Sequence, residues 1–275
     1  AGLSVALIGA WFDVDRPADL ARLERAIARG QIVAPATAQV LASLPNEDRI
    51  SVIIPTLDEE ARIAAQLRAL KQIRGLFEVL VVDGGSADRT VALAREHDHV
   101  RVLSAARGRA VQMNVGAQAC AGEVLLFLHA DVRLPRDAVS HIRAALGDPA
   151  VVAGAFRTRT VDDAGRSLLR PLLRLADLRS RHAGLPYGDQ GLFVRRATFE
   201  AVGGYPEQPL MEDLELSRRL RRVGAVRTMP ASVTVSGRRF LSRPVYFAVL
   251  VNVFPWLYRF GVPPRLLARL YGDPR

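Results

Sequence analysis

Short β-branched runs alternate with helix-period segments from Ile50 onward, and that rhythm predicts the architecture. Ile50 to Ile54 predicts a first strand. Glu59 to Leu70 predicts a helix with Ile63, Leu67 and Leu70 turned inward, because apolar residues three and four apart share one helix face. Phe77 to Val82, Val100 to Leu103 and Glu123 to Leu128 predict further strands, with helices at Asp88 to Glu96 and Arg109 to Ala119 between them. Such alternation implies a mostly parallel sheet with right-handed crossovers. Val79 to Val82 and Val124 to Leu128 lack polar alternation, so helices should cover both faces. After Val151 the pattern predicts a strand through Thr160, a leucine-rich helix from about Ser167 to His182, and a loop from Pro186 to Gln190. A short strand at Leu192 to Val194, a helix at Glu212 to Val223 and short β segments around Val233 follow.

The two ends have a different rhythm. Pro17, Leu20, Leu23 and Ile27 predict a Pro-started amphipathic helix over Asp15 to Arg29, ended by Gly30. The loop-like Pro45 to Asp48 then separates residues 1–48, read as a helical appendage, from a body over 49–240 and a helical tail over 241–275. No segment reaches the roughly 20 apolar residues needed to cross a bilayer. The nearest, Pro244 to Tyr258, is interrupted by Asn252 and Pro255; it is a candidate for a buried helix, a membrane-surface contact or a homodimer interface. The apolar start, Ala1 to Phe12, lacks the basic leader of a signal peptide.

Composition narrows the chemistry. Of 275 residues 49% are hydrophobic, enough for a real core. The single cysteine, Cys120, excludes a disulfide framework and thiolate metal clusters, and fits a reducing, cytoplasmic setting. The net charge of +10 comes almost entirely from arginine, which suits phosphate and carboxylate recognition and points to an anionic ligand. The arginines are dispersed, with the densest group at Arg218, Arg219, Arg221 and Arg222, and no basic stretch is interleaved with aromatics. Nucleic acid is therefore not the expected partner.

In open α/β sheets the ligand crevice lies beyond the carboxyl ends of the strands. Here those ends carry Pro55, Thr56, Asp58 and Glu59; Asp83, Gly84, Gly85 and Ser86; Arg107, Gly108 and Arg109; and His129 and Asp131. Each can be read singly as a cap or a turn. Four successive strand ends with carboxylates and arginines, and a Gly-Gly that lets a ligand approach the backbone, favour a nucleotide site.

The ordered strings PTLDEE (Pro55 to Glu60), VVDGGSADRT (Val81 to Thr90), RGRAVQMNVGA (Arg107 to Ala117), LFLHADVRLP (Leu126 to Pro135) and MEDLELSRRL (Met211 to Leu220) resemble family 2 glycosyltransferases. The likeness spans about residues 50 to 240. It implies a GT-A fold, a Rossmann-like, mostly parallel sheet flanked by helices, and a divalent metal, Mg²⁺ or Mn²⁺, as cofactor. By that resemblance Pro55, Thr56, Glu59 and Asp83 would hold a uridine. Arg107, Arg109 and Asn114 would frame the nucleotide and sugar, and Asp131 would be the last aspartate of the DxD metal and diphosphate anchor. Asp213, next to Glu212, would stand at the catalytic base. The implied chemistry is coherent, since a cation and arginines neutralise a departing diphosphate while a carboxylate takes the acceptor proton.

Two departures matter. His129 replaces the first aspartate of DxD, which removes an anion near the metal and leaves His129 open to metal, ribose or purely structural roles. The QxxRW string of processive members is missing, with Arg238, Arg239 and Phe240 its nearest likeness, so transfer of a single sugar is expected with Arg238 or Arg239 on the diphosphate. The strings LHAD (Leu128 to Asp131), LPYGDQGLFVRR (Leu185 to Arg196) and PLMEDLELSRRL (Pro209 to Leu220) are closer still to a compact bacterial subgroup of arsenosugar-type glycosyltransferases and selenosugar synthases. That likeness implies UDP-N-acetylglucosamine as donor and selenophosphate as acceptor. The alternatives are a carbohydrate, lipid or arsenic-containing acceptor, or a sugar nucleotidyltransferase. Tyr187, Asp189, Gln190 and Arg157 or Arg159 would contact acceptor or sugar. Trp11 to Leu20 has a faint likeness to the closing segment of nucleotidyltransferase-like domains, and no chemistry is assigned to it.

Overall fold

The computed structural model describes residues 49–162, 185–237 and 244–272, with isolated positions 23, 27, 35 and 177. The helix expected at Asp15 to Arg29, the one expected at Ser167 to His182, and Arg238 and Arg239 lie outside the described residues.

The first half follows the expected alternation: β1 (Ile50–Thr56), α1 (Glu60–Lys71), β2 (Leu76–Asp83), α2 (Thr90–Arg95), β3 (Val100–Ser104), α3 (Arg109–Ala119) and β4 (Val124–Phe127). These strands pair in parallel in the order β3-β2-β1-β4. Side chains alternate between two layers, as the lack of polar alternation requires. Val52, Ile54, Val79 and Val81 pack under Ile63, Leu67 and Leu70 of α1. Ile53, Leu80 and Val82 pack under Met113 and Ala117 of α3.

Two elements had no counterpart in the sequence reading before Val151, namely β5 (Val132–Arg133) and α4 (Ala138–Leu146). The α4 helix buries Val139, Ile142, Ala145 and Leu146 beside α1 on the same layer. Then come β6 (Val151–Val161), a 3-10 turn (Gly188–Gln190), β7 (Leu192–Arg195), α5 (Arg196–Ala201), α6 (Glu212–Val223) and β8 (Ala225–Ser236).

The sheet continues β4-β7-β6-β8-β5 and here becomes mixed, with β7 antiparallel to both β4 and β6, β8 parallel to β6, and β5 antiparallel to β8. The short segments expected around Val233 are one twelve-residue strand, β8. Its register against β6 shifts between Phe156 and Arg157, where Met229 gives way to Ser232. Pro230 falls in that bulge, the place in a paired strand where a residue without an N–H costs least.

The tail is a helical pair, α7 (Pro244–Arg259) and α8 (Pro264–Tyr271). The α7 helix runs through Asn252 and Pro255, which the sequence suggested as interruptions. Pro255 forfeits one ladder bond, while Leu250 and Phe254 are buried with Leu210 and Leu267 in an apolar cluster separate from the two layers of the sheet. Burial of that face outweighs the missing bond.

Candidate active site

The strand-end loops are tied to one another before any ligand enters. Asp58 adopts a left-handed backbone, φ 53°, which places its Oδ1 to accept the Ala87 N–H at 2.9 Å while its own N–H donates to the Ser86 hydroxyl. The Glu59 N–H donates to the Thr90 hydroxyl at 2.7 Å and the Glu60 N–H to Asp88 at 3.0 Å. Burial alone would raise the Asp88 carboxyl, but hydrogen bonds from Thr90 and from the backbone of Glu60 hold it below its ordinary value.

Asp83, at the end of β2, is buried and accepts the N–H groups of Gly85 and Ser86 at 2.9 and 3.0 Å. Its Oδ1 lies 3.5 Å from the hydroxyl of Thr56. Gln112 of α3 donates to the carbonyls of Thr56 and Val82 at 2.7 and 2.8 Å, which clamps the ends of β1 and β2 together. A Cβ on Gly84 would stand 3.0 Å from that amide, so glycine is what admits the clamp.

In front of this platform lies a cavity of about 270 Å³. Pro55, Thr56 and Glu59 line it from the β1 loop, Arg109 and Gln112 from α3, and His129 and Asp131 from the loop after β4. Thr158 and Thr160 contribute from β6, Tyr187 and Asp189 from the 3-10 turn, and Met211 and Asp213 from the start of α6. Leu210, Phe247, Leu250, Phe254 and Tyr271 make an apolar wall.

Both oxygens of Asp213 are held in place, Oδ2 accepting the Gly188 N–H at 2.6 Å and Oδ1 the Leu214 N–H at 2.7 Å. A Cβ at Gly188 would come within 3.0 Å of the His129 ring and 3.3 Å of Asp213, so His129 and Asp213 close on one glycine. Met211, just before α6, has φ 65°, a strained conformation for a non-glycine residue, at the point where the chain must turn to present Asp213. The α6 helix also suits its charges, with Glu212, Asp213 and Glu215 in the first turn and Arg221 and Arg222 in the last.

Behind Asp213, Arg109 pairs with Glu212 at 2.9 Å. Burial would lower the proton affinity of Arg109, but Glu212 and Asp213 more than offset it and the guanidinium stays cationic. Glu212 is almost wholly buried, and burial pushes its carboxyl up even though Arg109 pulls it back; Asp213 adds to the rise. The second oxygen of Glu212 and the hydroxyl of Tyr205 are both buried with no hydrogen-bond partner. Burial, with Asp213 and Glu212 nearby, holds the Tyr205 phenol well above its ordinary value, so it stays protonated.

The structure thus gathers Pro55, Thr56, Glu59, Arg109, His129, Asp131, Tyr187, Asp189 and Asp213 on one cavity, with Asp83 behind Thr56 and Glu212 behind Arg109. It places others elsewhere. Gln190 is buried under the turn, bonded to the Tyr187 N–H. Asn114 spends both ends of its amide on the backbone of Tyr205, at 2.9 Å each. Gly84, Gly85 and the exposed Arg107 lie on strand-end loops outside the cavity lining. Arg157 and Arg159 occupy alternate positions of β6, and the residues that face the cavity are Thr158 and Thr160. Sequence reasoning missed Gln112, Gly188, Tyr205 and the aromatic wall of the tail. Gln112 sits within Arg107 to Ala117, but its role as a clamp needs the meeting of two distant strands.

The profile of Glycosyl transferase family 2 matches residues 51–203, more than half of the chain. The chain belongs to glycosyl transferase family 2. It is 32% identical over 171 residues to undecaprenyl-phosphate 4-deoxy-4-formamido-L-arabinose transferase of Pseudomonas paraeruginosa, covering 56% of this chain and 49% of that protein. It is 27% identical over 192 residues to beta-monoglucosyldiacylglycerol synthase of Trichormus variabilis, covering 62% and 41%. The chain spans about half the length of the curated relatives it matches. Among solved structures, the mannosyltransferase PcManGT of Pyrobaculum calidifontis, in complex with GDP-Man and Mn²⁺, aligns over 90% of this chain and 78% of its own with TM-score 0.60 and 22% identity. S. aureus TarS 1-349 with UDP-GlcNAc aligns over 81% and 70% with TM-score 0.56 and 17% identity. These two share the GT-A fold, and this family 2 chain has that fold.

Proposed function

We propose that this family 2 enzyme transfers a single sugar from a UDP-sugar, UDP-N-acetylglucosamine first among them, to an acceptor that carries an apolar portion. The observation that carries the reading is one cavity with Asp131 and Asp213 on its polar side and Leu210, Phe247, Leu250 and Phe254 on the other. Asp213, oriented at both oxygens, takes the proton when the acceptor is a hydroxyl, whereas a phosphate acceptor enters already ionised; Arg109, held by Glu212, faces the leaving diphosphate.

Among the described residues the lining carboxylates Glu59, Asp131, Asp189 and Asp213 face a single arginine, Arg109, and a diphosphate entering such a site needs another cation. No group of three or more His, Cys, Asp or Glu side chains among the described residues converges as a metal cage. The donor set fits a divalent ion held by the Asp131 carboxylate together with oxygens of the donor diphosphate. Bound there, such an ion would supply charge stabilisation to the diphosphate of the departing UDP. A chelator is expected to suppress UDP release, with Mn²⁺ restoring it at least as well as Mg²⁺ because imidazole at His129 suits manganese; full activity in chelator would count against this.

The apolar wall supports an amphiphilic acceptor, in keeping with the undecaprenyl phosphate and diacylglycerol in the names of the two relatives. A second reading, favoured by the strings at Leu185 to Arg196 and Pro209 to Leu220, has selenophosphate as acceptor. The test incubates the protein with several UDP-sugars and undecaprenyl phosphate, diacylglycerol, selenophosphate or no acceptor, and follows UDP release and product mass. With a hydroxyl acceptor, Asp213→Asn is expected to lower turnover by about 10²–10⁴-fold. Equal UDP release by the wild type, Asp213→Asn and Asp131→Ala, or release of pyrophosphate in place of UDP, would overturn the reading.

A further inference from the structure

The helical tail has two apolar faces, and only the inner one is accounted for. Leu250 and Phe254 of α7 are buried with Leu267 of α8, while Phe247, Phe254 and Tyr271 reach the cavity. On the outer side Tyr246, Val249, Val253, Trp256 and Phe260 are exposed, Trp256 at 60% and Phe260 at 79%. At 3.6 residues per turn the four on α7 fall within about a quarter of the helix circumference, and Phe260, in the turn just after the helix with its N–H bonded to the Trp256 carbonyl at 2.9 Å, continues their stripe. The α8 helix adds Leu266 and Leu270, four apart and exposed. The two patches join where the Tyr246 hydroxyl donates to the carbonyl of Leu270.

Charge says what such a stripe meets. Between residues 244 and 272 there is no aspartate or glutamate, and Arg259, Arg265 and Arg269 are all exposed. Arg265 and Arg269 lie beside Leu266 and Leu270 on α8. A second copy of this chain laid face to face would bring two such arginine sets together, which opposes self-pairing. Anionic headgroups above an apolar layer answer both features at once. Length decides how the element would sit: α7 has 16 residues, about 24 Å at 1.5 Å per residue, short of a hydrocarbon core of about 30 Å. No helix among the described residues is long and apolar enough to cross a membrane. Tryptophan on the exposed stripe suits the headgroup boundary.

We propose that the outer face of α7 and α8 docks the protein on a bilayer surface rich in anionic phospholipid, with the helices lying in the plane of the interface. Since the inner face of the same pair walls the cavity, docking sets the cavity beside the membrane. The proposal goes beyond the sugar-transfer reading and stands on the tail alone.

The test is vesicle co-sedimentation of the full chain without donor, using phosphatidylcholine vesicles with and without phosphatidylglycerol. The wild type is expected to pellet with the anionic vesicles, at least ten-fold less with phosphatidylcholine alone, and less again in high salt. Trp256→Ser with Phe260→Ser, both at exposed positions, should lose at least ten-fold in binding with an unchanged thermal midpoint, and Arg265→Glu with Arg269→Glu should do the same. With Trp11→Phe, Trp256 is the only tryptophan, and its emission should shift to the blue on anionic vesicles. Equal binding by wild type and both double variants, no binding at all, or a dimer that the Trp256 and Phe260 changes dissolve, would each overturn the proposal. UDP release on a detergent-dispersed acceptor is scored separately, so docking can fail while sugar transfer stands, and the reverse.

Discussion

Arg109, Glu212, Asp213 and Tyr205 show how one residue's state depends on its neighbours. Glu212 is buried against Arg109, and its carboxyl sits above the ordinary 4.5 because burial outweighs the guanidinium. Below that ordinary value both the folded and unfolded chains hold the proton, so the contribution of Glu212 to stability is complete there. As pH rises toward the raised folded value the unfolded chain has already released its proton, and the contribution is lost. Urea melts from about pH 4 upward should therefore show the wild type losing stability relative to Glu212→Gln as pH rises from the ordinary glutamate range, levelling off once Glu212 has ionised in the fold. A constant difference across that range would remove Glu212 as the titrating group. Other residues have quieter roles than their type suggests. Arg196 donates to the carbonyls of Ala117, Cys120 and Gly122, and Arg218 and Arg219 pair with Glu215 of their own helix. Much of the arginine excess that pointed to an anionic ligand is therefore structural or solvated surface.

At the scale of elements, close approach of helix to sheet fixes the platform. Gly116 of α3 faces β1, and a Cβ there would lie 2.4 Å from Ile53 Cγ2 and 3.1 Å from Val82 Cγ2. Gly116→Ala improves intrinsic helix propensity by about 1 kcal/mol. Overpacking against the two strands should cost about 1–3 kcal/mol. The net result expected in urea denaturation is destabilisation, together with weaker donor binding as Gln112 is pushed from its clamp; a gain in stability would show that α3 can shift without strain. Elements such as α1, whose apolar face repeats at 3.6 residues, and β2, whose Val79 to Val82 is a continuous apolar run buried on both faces, were legible in the sequence because local pattern and tertiary burial agree. The two-residue β5 carries no such period, and β8 read as fragments because only a few of its positions are buried.

For the whole molecule, the apolar cluster of the tail is separate from both layers of the sheet. Phe254→Ala removes a buried aromatic, a loss of about 3–5 kcal/mol in a well-packed core. Because the cluster is separate, the effect should stay local: hydrogen exchange should quicken across residues 244–271 with little change in β1 to β4. Quickening throughout the sheet would mean that tail and sheet unfold as one unit. The cavity lies where these parts meet, which is why its wall escaped a reading made segment by segment.

From sequence alone came the alternating strands and helices, their inward faces, the polar strand ends that Asp83 and Asp131 mark, and the acidic helix start at Asp213. Those features are local, since a period or a turn residue acts on its own few neighbours. What only the tertiary structure decided is which groups meet: Gly188 between His129 and Asp213, Asn114 bound to Tyr205, threonines in place of Arg157 on the cavity side of β6, and a tail with one face on the cavity and one on solvent. Contacts across 25 to 91 positions of chain arise from the order of strands in the sheet, and no local pattern encodes that order.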